Sequence, residues 1–134
     1  MKKIESREDV SLLVRSFYAR IRKHDSLGPI FNEVVQDWES HLERLTDFWE
    51  MILLQSGPGA GKFSPVPVHK EVDAITGNTV TQAHFGNWLE LWFSTLDTYF
   101  EGKHADYAKE HARNMAHILF FRIVEGRGAA KKSS

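Results

Sequence analysis

Four stretches of this chain repeat their apolar side chains at the helical step of about 100° per residue, and no stretch alternates them convincingly as a half-buried strand would. An all-α fold follows, with helices joined by irregular loops. Val10, Val14, Phe17, Tyr18 and Ile21 share a face of the first helix, with Leu13 beside them, Ser6 as N-cap and Asp9 in the first turn. "DSLGPIF" then breaks the helix at Gly28 and Pro29 and leads into a short turn holding Phe31. The second helix is predicted from about Asp37 to Gln55. Trp38, His41, Leu45, Phe48, Trp49 and Ile52 fall on one face, and Glu43, Asp47 and Glu50 on the solvent side. The third, from near Thr81 to about Phe100, carries a wide stripe of His84, Phe85, Trp88, Leu91, Trp92, Thr95, Leu96 and Tyr99. The last, about Ala105 to Glu125, groups Ala108, Ala112, Met115, Ala116, Leu119 and Ile123. Ile118 and Phe121 lie off that stripe, which predicts a helix apolar on more than one side and central to the fold.

With 134 residues, one domain over 1–126 is expected, followed by a frayed tail, "RGAAKKSS", at 127–134. The formal net charge of −1 gives no reason to expect nucleic acid or an acidic membrane as partner. There is no cysteine, which excludes disulfides, thiol chemistry and Cys-ligated metals. The start, "MKKIESREDV", lacks the apolar run of a signal peptide, and no segment has the length of a membrane span. A cytoplasmic, monomeric protein is therefore expected. Aromatic residues make up 12% of the chain, and it carries four tryptophans and seven histidines. Such an excess implies large flat side chains in the core, or a flat ligand among them.

The loop "SGPGAGKFSPVPV" invites comparison with a phosphate-binding P-loop, but the spacing fails. Ser56 stands where the first glycine is required, Phe63 follows Lys62, and a helix rather than a strand precedes it. Within and after this loop, "SPVPVHKEV" holds a histidine, His69, on a short segment stiffened by Pro65 and Pro67.

Three further polar groups interrupt apolar faces: Tyr18, His41 and Trp88. Each has an ordinary explanation. A histidine at a helix margin is commonly half-exposed, a tyrosine closing an amphipathic face turns its hydroxyl to water, and tryptophans at helical spacing are usually core. In chain order, however, "FYARIRKHDSLGPIF", "WESHLERLTDFW", "PVH" and "HFGNWLELW" resemble the truncated haemoglobins, specifically their third group. The resemblance runs from about Val10 to Ile123. The doubled glycine motifs of the other truncated groups are missing, in keeping with the third.

The resemblance implies a truncated globin fold, a helical sandwich enclosing haem b (iron protoporphyrin IX). It makes His69 the proximal ligand, whose imidazole completes a five-coordinate iron with the opposite face open. On that open side the matching positions are Tyr18, His41 and Trp88. Their O–H and N–H groups suit a dioxygen ligand carrying partial negative charge. Phe31 resembles the aromatic that stacks on the haem plane. Leu45, Phe48 and Trp49 are expected on the distal wall, Phe85 and Met115 on the proximal wall, and Leu119 deeper. Arg44 is the candidate partner of a haem propionate. Of the remaining histidines, His24, His104, His111 and His117 carry no expected role. His84 is the alternative iron ligand to test.

The function implied is binding of dioxygen and other diatomic gases such as carbon monoxide and nitric oxide. Several donors in a dry pocket suit tight retention, sensing or detoxification rather than delivery. The alternative is a haem redox enzyme acting in nitric oxide dioxygenation or peroxide chemistry. That would need an external reductase, because the chain has no flavin or nicotinamide domain.

Overall fold

The computed structural model describes residues 1–56 and 81–133, with side chains of the last helix described through Phe121. Among the described residues there are five helices, here numbered in chain order, and no strand beyond an isolated bridge between Lys2 and Phe100. They are α1 (Arg7–Lys23), α2 (Leu27–Val34), α3 (Trp38–Leu54), α4 (Gln82–Tyr99) and α5 (Lys103–Ser133). No described helix is long and apolar enough to cross a membrane.

The start of α1 is fixed by a capping box. Ser6 Oγ accepts the Asp9 N–H at 3.3 Å, and Asp9 returns a carboxylate oxygen to the Ser6 N–H at 3.2 Å. Asp9 is buried, and Lys2 approaches its other oxygen at 2.6 Å. Burial pushes this carboxyl up. The Lys2 ammonium and the Glu5 and Ser6 groups together outweigh it and hold the pKa below the usual 3.8.

All of the expected α1 stripe is buried, and this helix touches α2, α3 and α4. Thus α1, rather than the last helix, is central. Ile118 and Phe121 are 55% and 65% exposed, which corrects the expectation built on them. The alanines of α5 (Ala105, Ala108, Ala112 and Ala116) form its buried side, and their small size lets α5 lie close against α4. Ile118 and Phe121 fall on the face turned away. Beyond Glu125 the helix continues to Ser133 where the sequence reading ended it, and the Ala-Ala-Lys-Lys run supplies strong helix formers there.

Three further expectations change. The turn around Phe31 is a helix, α2, because Pro29 falls in its first turn, where a missing N–H costs nothing. Gly28 is required there, since a Cβ would lie 2.7 Å from the Arg22 carbonyl oxygen. Glu43, Asp47 and Glu50 do not all face open solvent. Arg7 reaches them from α1 at 3.0, 2.7 and 2.8 Å, and Glu50 is buried. At the end of α4, Tyr99 points outward and Phe100 takes the core position beside the chain's N-terminal segment.

Candidate functional site

Four helices bring aromatic and polar side chains to one cluster. From α1 come Phe17 and Tyr18, adjacent in sequence and both buried, their rings edge to face at 4.8 Å. Phe17 turns toward α4, where it meets Trp88 at 5.4 Å and Trp92 at 4.9 Å. Tyr18 turns toward α2 and α3. Its ring lies 5.8 Å from Phe31, 6.0 Å from Trp38 and 5.9 Å from His41. Trp38 and His41 share a face one turn apart, and their rings meet nearly perpendicular at 5.7 Å.

The turn that carries Phe31 into this cluster is held by side chains. His24 Nδ1 accepts the N–H groups of Ser26 and Leu27, both at 3.2 Å, which fixes that nitrogen as the unprotonated one. Asn87 on α4 donates to Ser26 Oγ at 3.3 Å. His24 thus has a structural task that its place in a loop did not suggest.

The phenol of Tyr18 is 6% exposed, and burial pushes its pKa up to about 12. The nearby indole N–H of Trp88 opposes part of that rise. At neutral pH the phenol is therefore fully protonated and available as a donor. Tyr18, His41 and Trp88, singled out from three separate stripes, converge around one another.

No family model matches the chain. It is 27% identical over 115 residues to the group 3 truncated hemoglobin ctb of Campylobacter jejuni, covering 83% of this chain and 85% of that protein. The crystal structure of the group III truncated hemoglobin from Campylobacter jejuni superposes with a TM-score of 0.79. It covers 92% of this chain and 95% of the other, at 25% identity. In sequence and in fold the chain is similar to the group III truncated haemoglobins.

The remaining positions expected for the site are placed as follows. Leu45, Phe48 and Trp49 are buried on α3, but Trp49 stacks on Trp92 at 4.6 Å and meets His111 edge to face at 5.6 Å. Phe85 and Met115 are half-buried and Leu119 is buried on the α4–α5 side, where Phe85 packs edge to face with Phe120 at 5.5 Å. Arg44 is exposed. His69 lies outside the described residues.

His84 caps α4: Thr81 donates its N–H to His84 Nδ1 at 2.9 Å and accepts the His84 N–H on its hydroxyl at 3.3 Å. That nitrogen is committed to the helix start. His111, given no role from sequence, sits among Phe48, Trp49 and Tyr107, and burial lowers its pKa below 6.5. Trp38 was visible only as one member of a stripe. Its spacing from His41 was the available signal. An open cleft of about 510 Å³ lined by Arg7, Glu50, Leu53 and His104 contains none of the residues around Tyr18.

Proposed function

We propose that this chain binds haem b and, through it, dioxygen and other diatomic gases, holding them tightly rather than releasing them for delivery. The observation that carries the reading is the buried, protonated Tyr18 phenol in one cluster with His41 and the Trp88 indole. A porphyrin protein needs such an arrangement on only one side, since a single imidazole suffices on the other. The donor set therefore fits the group that the family implies.

In this reading His69 supplies the imidazole. Phe31, Leu45, Phe48 and Trp49 flank the gas-binding side, Phe85, Met115 and Leu119 the opposite one, and Arg44 pairs with a propionate. The chemistry haem supplies is reversible ligation of a small gas at iron. The chain's own residues do the rest. Tyr18 donates its O–H toward a ligand carrying partial negative charge, and Trp88 and His41 add N–H donors. The surrounding rings exclude water, which strengthens each hydrogen bond. One bond to a charge-bearing acceptor contributes about 1.5–3 kcal/mol, enough to slow release roughly tenfold or more.

Stopped-flow measurement of dioxygen dissociation tests this directly. Tyr18→Phe and Trp88→Phe should each accelerate release, Tyr18→Phe by about tenfold. Unchanged rates in both variants would remove the retention argument. His69→Ala should lose haem or its normal ferrous spectrum. An unchanged spectrum in that variant, with His84→Ala altered instead, would move the proximal role to His84.

A further inference from the structure

Trp38 is the first residue of α3, and nothing so far gives it a task. Its ring is half-buried and touches both Tyr18 and His41, at 6.0 and 5.7 Å between centroids. Over the same ring stands the Arg22 guanidinium, its carbon 4.6 Å from the centroid. Arg22 is exposed, Trp38 half-buried and Tyr18 buried, so the three step inward from solvent to the interior. Arg22 is also the joint of three helices. It lies near the end of α1, its carbonyl accepts Asn32 Nδ2 of α2 at 3.3 Å, and the same carbonyl makes Gly28 obligatory. Its side chain reaches α3 through Trp38. A cation over an indole face is the best of the aromatic pairings for such a guanidinium, and it resists lateral sliding of the ring.

We infer that Trp38, clamped by Arg22, is a positioning residue that fixes the direction of the Tyr18 and His41 donors and seals them from water where α1, α2 and α3 meet. This rests on the reading of Tyr18 as a donor facing the bound gas. The physical reason is directional. A phenol hydrogen bond weakens steeply with angle, and a water entering beside the ring competes for the same O–H. Packing by Trp38, Phe31 and Phe17 around the ring leaves Tyr18 little rotation.

The test uses the full-length, haem-loaded protein with carbon monoxide bound. It reads the C–O stretching frequency together with exchange of the Trp88 and Trp92 indole N–H protons by NMR. Trp38→Ala should shift the stretch and speed Trp88 exchange by roughly tenfold, with Trp92 unchanged because Ala108 holds its N–H in the core. Trp38→Phe should restore most of both signals. Arg22→Ala should move them the same way by about two- to five-fold, and Arg22→Lys should recover part of that.

If Trp38→Ala leaves both signals at the parent values while Tyr18→Phe shifts the stretch, the inference fails and the function stands. Equal acceleration of Trp92 would mean general loosening, which also overturns it. If Tyr18→Phe itself leaves the stretch unchanged, the reading of the site fails first and takes this inference with it.

Discussion

Trp88 and Trp92 sit one turn apart on α4, their ring planes 9° from parallel and their centroids 5.8 Å apart. Both meet Phe17, but their other surroundings differ. Trp92 has no exposed surface, is bracketed by Phe17 and Trp49, and gives its N–H to the Ala108 carbonyl at 3.1 Å. Every polar and apolar capacity of that ring is used by the core. Trp88 is half-buried, and its indole lies close enough to the Tyr18 phenol to hold that group's pKa down. Two identical side chains on one stripe thus separate into a structural and a chemical role. What divides them is where each indole N–H lies: on a backbone carbonyl of the neighbouring helix in one case, beside a phenol in a polar cluster in the other.

The largest expected effect that could break this contrast is on stability. Trp92→Ala removes a fully buried indole and should cost about 3–5 kcal/mol in denaturant unfolding, against less than half of that for Trp88→Ala. Equal losses would make both residues simply core. Next in size is Gly28→Ala, whose added Cβ must push α2 away from the Arg22 carbonyl, at about 1–3 kcal/mol. Because α2 carries Phe31 against Tyr18, indole exchange should rise at Trp88 and stay unchanged at Trp92.

The phenol sharpens the contrast through pH. An unfolded tyrosine ionises near 10.0 and Tyr18 at about 12, so its contribution to stability is fully present below pH 10 and is lost as pH rises through 12. Tyr18→Phe should flatten that alkaline decline in unfolding midpoints. Trp88→Phe should push the phenol still higher by removing the donor that lowers it, whereas substitutions at Trp92 that leave the fold intact should not.

The smallest effect concerns His111 beside Trp49. Its folded pKa is below 6.5, so stability is present above 6.5 and falls as pH drops through the lowered value. His111→Phe should soften the acid limb of the stability profile without touching the Tyr18 signals.

Much of the architecture is legible in periodicity alone. The stripe of α1 is buried residue for residue, and the caps at Ser6, Asp37 and Thr81 lie where the helices begin. Periodicity reports which side chains share a face, and it fails where a face has two potential owners. Ile118 and Phe121 are as apolar as Leu119, but the alanines of α5 allow the closest approach to α4 and leave both outside. Glu50 reads as a solvent residue until Arg7 of a distant segment neutralises it.

The chain's own pattern determined that it is helical, that its aromatic residues are concentrated on inward faces, and that Tyr18, His41 and Trp88 interrupt those faces with polar atoms. Tertiary packing decided what each polar atom meets. It sent the Trp92 N–H to Ala108, the Trp88 indole to the neighbourhood of the Tyr18 phenol, the His84 ring to a helix cap and the Arg22 guanidinium to Trp38. The reason is that burial follows from local spacing along a helix. A hydrogen bond or a cation over a ring needs two groups, and their meeting depends on how separate helices come to rest against one another.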